Sequence, residues 1–222
     1  YNVPAYRDWA LDQDMTASYR WHASFLQHLQ VDMHRERWVL KTPVHLLTID
    51  ALLAQYPDAQ IIQTHRDPLA VMASVSSLHC FLRGAASDAI DPIRVGRQQV
   101  PLWAEMLRRG MQARERHADR AERFCDVQFV DLLEDPIGCV RRIYERFGAP
   151  LSAEAEVRMQ GFLAANPREK HGTHRYSRET FGIDPERDAR LFDAYCERYG
   201  IRRAPPALIP RPAGRAGAPA RP

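Results

Sequence analysis

The turn at residues 63–68 constrains the fold of this chain more than any other feature. A short, mainly apolar run over residues 59–62 comes first and predicts a strand over residues 59–64. Asp67 then offers a favoured helix N-cap, and Pro68 loses no hydrogen bond at the first helical position, so a helix should begin there. The sequence therefore predicts a strand that passes directly into a helix.

Two polar residues flank this turn. Arg66 lies at the predicted carboxyl end of the strand, and Ser74 comes seven residues after Asp67, two turns along the same helical face. A guanidinium and a hydroxyl placed in this way can bind one anion, so we predict a phosphate-binding corner. The alternatives are an ion pair between Arg66 and a nearby acid such as Asp67, and a Ser74 that bonds its own helix or faces solvent.

The same alternation of strands and helices extends over most of the chain. Strands are predicted at residues 38–41, 59–64 and 124–130, and helices at 5–34, 45–55, 68–82, 92–117, 136–147, 152–165 and 185–199. Helical connections of this length imply a parallel sheet, hence an α/β fold. Ligands of such sheets bind beyond the strand carboxyl ends, where Lys41, His45 and Arg66 fall.

The predicted first helix carries an apolar stripe. Its members recur at three- and four-residue steps: Met15, Tyr19, Leu26, Leu29 and Met33, with the aromatic Trp9, Trp21 and Phe25 added. Such a stripe is typical of a helix face buried in the core. We therefore expect this face to pack inward.

Composition excludes several classes of protein. The chain has 222 residues, is 45% hydrophobic and carries a net charge of +3 with basic and acidic residues interspersed, which predicts one core and no nucleic-acid partner. The four cysteines lack metal-ligand spacing, so we expect reduced thiols, no bound metal and a cytoplasmic protein. No apolar window is long enough for a membrane span. Residues 1–202 are predicted to form the domain, and the Pro-, Ala- and Arg-rich residues 203–222 a disordered tail.

Three segments together resemble the sulfotransferase family, in particular its bacterial branch. Arg66 and Ser74 resemble the pair that holds the 3′-phosphate of PAPS (3′-phosphoadenosine 5′-phosphosulfate) in that family. Residues 38–45 look like the strand and turn that carry its reactive lysine and histidine, and residues 56–68 are similar to the segment that follows. The resemblance implies a P-loop NTPase-like, three-layer α/β/α fold. It also implies sulfuryl transfer from PAPS to a hydroxyl or amine of a small-molecule, glycan or lipid acceptor.

The resemblance assigns roles to two residues near the second segment's end. His45 would be the general base and Lys41 would stabilise the charge that develops on the bridging oxygen. Pro43 lies between them, and their spacing is wider than the two-residue step of the cytosolic branch. The alternatives are a His45 that only begins the next helix and a Lys41 that extends from a strand end into solvent.

A second dense polar segment lies at residues 168–176. It resembles the basic, Gly-containing loop that closes over the nucleotide in sulfotransferases, which would give Arg168, Lys170, His171 and Gly172 contacts to the co-substrate. Its cations would attract an anion. The alternative is a solvated linker between helices.

One departure from the family concerns the Gly-rich loop that binds the 5′-phosphosulfate. The 40 residues before Lys41 contain no glycine, so we expect this chain to be the C-terminal part of a longer protein and its domain to be incomplete. Two alternatives stay open. One is a non-catalytic nucleotide-binding or interaction module, and the other is a kinase-like transferase that uses ATP and Mg²⁺, although no Walker A sequence is present.

Overall fold

The computed structural model describes residues 3–33, 37–167 and 177–202. In this part of the chain the helices are α1 (Pro4–Leu11), α2 (Thr16–Leu29), α3 (Ile49–Gln55), α4 (Pro68–Gly84), α5 (Pro92–Arg116), α6 (Phe129–Glu134), α7 (Pro136–Arg146), α8 (Ala153–Ala165), α9 (Pro185–Ala189) and α10 (Asp193–Arg198). The strands are β1 (Ile61–His65) and β2 (Phe124–Gln128). Short 3₁₀ helices occupy Pro43–Leu47, Ala118–Arg123, Glu179–Phe181 and Arg190–Phe192. The predicted tail at 203–222 and the loop at 168–176 lie outside the described residues.

The described residues form two compact units. The first is drawn from residues 3–65 and 103–151, and the second from residues 66–102 and 152–202. Each unit has its own buried apolar residues. The single predicted domain ending at residue 202 stays a prediction.

The first unit contains a parallel two-stranded sheet. Strand β1 pairs with β2 in a register that sets Ile61 opposite Phe124 and His65 opposite Gln128. The predicted parallel pairing is therefore confirmed for these strands. Because parallel strands end at the same edge, the chain leaves both strands on one side, directly before Arg66 on β1.

Two predicted strands need correction. Residues 38–41 form no strand, since no strand in the described part of the chain pairs with them and a strand needs a hydrogen-bonded neighbour. The strand predicted over 124–130 ends at Gln128, because the backbone turns into α6 at Phe129. The alternation of apolar residues continues past the point where pairing stops.

Three predicted helices are also interrupted. The predicted helix at 5–34 is two helices, α1 and α2. The second begins at Thr16, whose amide (2.9 Å) and hydroxyl (2.6 Å) donate hydrogen bonds to the Asp14 carboxylate. The predicted helix at 45–55 is the 3₁₀ helix Pro43–Leu47 followed by α3, with Thr48 between them in a non-helical conformation. The predicted helix at 185–199 is α9 and α10, separated by a 3₁₀ turn.

Helix α2 packs on α3 with only part of its predicted apolar face. Tyr19 is 6% exposed and joins Ile49, Leu52 and Leu53 in the core, and Leu26 is also buried. The other predicted core residues on these first helices are exposed or half-buried: Trp9, Met15, Trp21, Phe25, Leu29 and Met33. Tyr19 and Leu26 are seven residues apart and so lie on one line of the helix, and Met15, half-buried one turn before Tyr19, packs against the same core.

The second unit is organised around α4. The Asp67 carboxylate accepts a hydrogen bond from the Leu69 amide at 3.0 Å and Pro68 occupies the first turn, so the predicted cap is confirmed. Residues on one face of α4, including Met72 and Ser76, are buried. The backbone of Phe181 approaches so closely that only a glycine fits at position 96 of α5.

No helix in the described residues is both long and apolar enough to cross a membrane. All four cysteines, each of which the structure describes, are free thiols, as predicted. The described residues contain no group of three or more His, Cys, Asp or Glu side chains that could hold a metal ion.

Candidate active site

A 3₁₀ helix in the first unit presents His45. Thr42 is extended, and its hydroxyl accepts a hydrogen bond from the Val44 amide at 3.3 Å, so it caps the turn that Pro43 begins. The turn closes where the Thr48 amide donates to the His45 carbonyl at 3.0 Å. The imidazole of His45 is therefore held on a short 3₁₀ helix, three residues before Thr48.

The side chain of Tyr19 links His45 to Thr48. The Tyr19 hydroxyl lies 2.6 Å from His45 Nδ1 and 2.8 Å from Thr48 Oγ1. The Tyr19 and His45 ring centroids are 5.9 Å apart. Because Tyr19 is buried and His45 half-buried, the ring edge that carries Nδ1 is occupied by protein.

A second histidine–tyrosine pair lies beside the first. His22 Nδ1 is 2.7 Å from the Tyr56 hydroxyl, and the two rings meet edge-on at 5.7 Å. The Tyr19 ring lies 6.0 Å from His22 and 6.4 Å from Tyr56. We call Tyr19, His22, His45, Thr48 and Tyr56 the Tyr19 cluster.

The surroundings shift the titration of this cluster. Burial lowers the pKa of His45, and the nearby His22 lowers it further, so the imidazole stays neutral to a lower pH than a free histidine does. Burial raises the pKa of Tyr19 above its ordinary value, and it also raises the pKa of Tyr56. At neutral pH both phenols therefore keep their protons, and the neutral imidazole can accept one.

Lys41, the predicted charge stabiliser, comes four residues before His45 and is exposed. In the part of the chain that the structure describes, no carboxylate forms an ion pair with it. Its ammonium is therefore available to an anionic ligand.

The predicted phosphate corner belongs to the second unit. Arg66 is exposed and immediately precedes the N-cap of α4, and Ser74 is half-buried on that helix. The four remaining predicted residues, Arg168, Lys170, His171 and Gly172, lie outside the described residues. The structure therefore brings His45 together with a cluster of its own unit, and it assigns Arg66 and Ser74 to the other unit.

Sequence reasoning missed the Tyr19 cluster around His45. Tyr19 was expected only as a core residue, and Thr48 and Tyr56 were given no role. The three-residue step from His45 to Thr48 was a usable signal, because residues three apart on a helical turn share a side. Nothing in the sequence indicated Tyr19, since 26 residues separate it from His45.

Comparison with known proteins identifies the family of this chain. Residues 2–153 match the profile of the sulfotransferase family. The chain belongs to the sulfotransferase family. Two solved sulfotransferase structures are similar to it. STF9 from Mycobacterium avium has 32% identity, a TM-score of 0.80, and an alignment over 90% of this chain and 51% of its own. STF1 from Mycobacterium tuberculosis has 36% identity and a TM-score of 0.75, over 87% and 49%.

A curated relative is similar over most of this sulfotransferase-family chain. Omega-hydroxy-beta-dihydromenaquinone-9 sulfotransferase Stf3 of Mycobacterium bovis is 27% identical over 191 residues, 84% of this chain and 47% of its own length, and its counterpart in Mycobacterium tuberculosis matches equally. The chain thus spans about half the length of the curated relatives it matches. The predicted family and its α/β, P-loop NTPase-like fold are confirmed by these comparisons.

Proposed function

We propose that the protein transfers a sulfuryl group from PAPS to a hydroxyl or amine of an acceptor. One observation carries this proposal: in a chain of the sulfotransferase family, His45 is half-buried, hydrogen-bonded through Nδ1, and has a lowered pKa. A neutral, oriented imidazole is what a general base needs at physiological pH.

The chemistry assigns one task to each residue. His45 takes the proton of the acceptor hydroxyl while that oxygen forms its bond to sulfur. The bond between sulfur and the bridging phosphate oxygen breaks, and adenosine 3′,5′-bisphosphate leaves with the electron pair. Negative charge grows on the bridging oxygen, and the exposed ammonium of Lys41 stabilises it.

The nucleotide part of PAPS would be held mainly by basic side chains. Arg66 binds the 3′-phosphate through its guanidinium and Ser74 adds a hydroxyl, as the resemblance of their segment to other sulfotransferases implies. By the same resemblance, residues 168–172 contribute Arg168, Lys170, His171 and Gly172 to nucleotide binding.

For the acceptor we propose a hydroxyl group on a small molecule or lipid. The support is the relative Stf3, whose name describes an omega-hydroxylated menaquinone derivative as its substrate. A hydroxyl is also the group whose proton a neutral imidazole can remove as the oxygen attacks.

Calorimetry of nucleotide binding tests the phosphate assignment. Replacing Arg66 with alanine should weaken the binding of adenosine 3′,5′-bisphosphate by about 1.5–3 kcal/mol, or roughly 10- to 150-fold, because one charge-assisted contact is lost. Binding of AMP, which lacks the 3′-phosphate, should hardly change. Arg94→Ala is the matched control, since Arg94 is an exposed arginine in the same unit. Equal losses for both nucleotides would contradict the assignment.

Turnover tests the catalytic assignment separately. His45→Ala should abolish sulfuryl transfer from PAPS while leaving nucleotide affinity within about twofold of wild type. If the natural full-length protein binds adenosine 3′,5′-bisphosphate but turns over no hydroxylated acceptor, the non-catalytic module replaces the enzyme. Turnover of ATP with Mg²⁺ would instead indicate a kinase-like transferase.

A further inference from the structure

The hydroxyl of Tyr19 lies between two groups but has only one hydrogen. His45 Nδ1 is 2.6 Å from it and Thr48 Oγ1 is 2.8 Å from it. A phenol donates one hydrogen bond and accepts up to two, so only two arrangements satisfy both contacts and also give the Tyr19 hydrogen one of these groups as its acceptor. In the first, Tyr19 donates to Nδ1 and Thr48 donates to Tyr19. In the second, Nδ1–H donates to the Tyr19 oxygen and Tyr19 donates to Thr48 Oγ1.

The two arrangements leave different atoms available on His45. In the first, the ring proton is on Nε2, and the only lone pair points at the Tyr19 hydrogen. In the second, the ring proton is on Nδ1, and the Nε2 lone pair is available. Because Tyr19 is 6% exposed and occupies Nδ1, an acceptor molecule can meet only Nε2.

We propose that Tyr19 and Thr48 are positioning residues that hold His45 as the Nδ1–H tautomer and so make Nε2 the atom that takes the proton. This inference rests on the proposed function, in which His45 is the base. Thr48 Oγ1 takes the hydrogen of Tyr19, which directs the Tyr19 oxygen lone pairs toward Nδ1–H. Neither residue exchanges a proton with the acceptor.

The arrangement suits proton transfer because nothing has to rotate. When Nε2 gains a proton, Nδ1–H still donates to the Tyr19 oxygen, and Tyr19 still donates to Thr48. The imidazolium gains a charge-assisted hydrogen bond at an atom that is already bonded. In the opposite arrangement the incoming proton would have to displace the Tyr19 hydrogen at Nδ1.

The test is the tautomer of His45 and its dependence on Tyr19. Nitrogen-15 NMR of the ring distinguishes protonated from bare nitrogens, and in the wild-type protein at pH 7.5 it should show a protonated Nδ1 and a bare Nε2. Tyr19→Phe removes only the hydroxyl, so the ring should revert toward the Nε2–H form that free histidine prefers. The kcat should fall about 10- to 100-fold, with the KM for PAPS within twofold of wild type.

Matched variants separate positioning from packing. Thr48→Val removes the acceptor for the Tyr19 hydrogen and should shift His45 toward the Nε2–H tautomer, as Tyr19→Phe does. Thr48→Ser keeps a hydroxyl at this position and should therefore keep the Nδ1–H tautomer. Tyr56→Phe is the control, because the Tyr56 hydroxyl bonds His22 rather than His45 and its loss should leave the His45 tautomer unchanged. If Tyr19→Phe fails to fold, the comparison of Thr48→Val with Thr48→Ser carries the test.

A wild-type Nε2–H tautomer, or a tautomer that is the same in Tyr19→Phe and Thr48→Val as in wild type, would overturn the inference. The NMR measurement needs no substrate, so it can fail independently of the proposed function. A wild-type protein with the Nδ1–H tautomer and no turnover of PAPS would contradict the enzyme and not the hydrogen-bonded arrangement.

Discussion

Asp126 joins the two strands of the sheet through its carboxylate. It lies opposite Gln63 in the register of β1 and β2. Its oxygens accept hydrogen bonds from His65 Nε2 at 2.7 Å and from Arg114 Nη2 at 2.8 Å. The His65 side chain is fully buried, the Arg114 side chain is 13% exposed, and the Asp126 side chain is 41% exposed. Replacing Asp126 with alanine should therefore destabilise the fold.

The magnitude follows from what each partner keeps. The buried Nε2–H of His65 loses its acceptor, which costs about 1–3 kcal/mol. Arg114 keeps Gln63 Oε1 at 3.0 Å and the face of Phe124 at 4.7 Å, so its lost ion pair adds no more than about 1 kcal/mol at this partly exposed site. The expected loss in the free energy of unfolding is about 1–4 kcal/mol.

Urea denaturation measures this loss. The midpoint should fall while the slope m stays constant, since the surface exposed on unfolding is unchanged. Asp88→Ala is the control, because Asp88 is an exposed aspartate. A midpoint shift for Asp126→Ala no larger than that of Asp88→Ala would refute the reasoning.

Acidification provides a second check on the same variant. Burial by itself raises the pKa of Asp126, but hydrogen bonds from Arg114 and His65 outweigh it and lower the pKa overall. A depressed folded pKa stabilises the fold above the unfolded value, about 4, and this contribution is lost as the pH falls through the folded value. The difference between wild type and Asp126→Ala should shrink as the pH falls below about 4. A difference that grows over that acidic range would contradict the assignment.

Two further predictions concern local packing and titration. Gly96→Ala should destabilise the fold strongly, because the added Cβ would overlap the Phe181 carbonyl oxygen. Gly161→Ala, where the added Cβ meets no atom within 4 Å, should instead stabilise its helix by about 0.5–1 kcal/mol. Thermal unfolding compares the two variants, and equal shifts in Tm would contradict the close contact between α5 and Phe181. In an NMR titration the midpoint for His45 should lie below pH 6.5, since burial and the nearby His22 lower its pKa. Protonation of His45 should therefore destabilise the fold as the pH falls below 6.5. A midpoint above 6.5 would contradict the buried placement of the ring.

The parts of the fold that were predictable are those that neighbouring residues decide. Asp67 with Pro68 begins α4, Asp135 with Pro136 begins α7, and Ser152 caps α8, each through a bond to an amide two or three residues away. Parallel pairing of β1 and β2 was also predictable, because two helical segments connect the strands, as in a parallel crossover, and no short hairpin turn does.

The parts that were not predictable depend on what packs against them. Trp21 and Phe25 have the spacing of a core face yet are 79% and 59% exposed, because the buried residues of this helix, Tyr19 and Leu26, lie on another line of its surface. Residues 38–41 begin with three apolar residues, as a short strand can, but strand formation depends on a partner that spacing along the chain does not identify.

The candidate site also has features that the sequence predicted and features that depend on tertiary packing. The sequence by itself determined the types of group available: an imidazole and an ammonium near residue 43, and a guanidinium before a capped helix, since these follow from residue identity and local turn chemistry. Only the tertiary structure decided that His45 bonds Tyr19 and that Asp126 bonds His65 and Arg114. The physical reason is that these contacts join residues 12 to 61 positions apart. Their free energy depends on burial and on hydrogen-bond geometry, which exist only once the elements have packed.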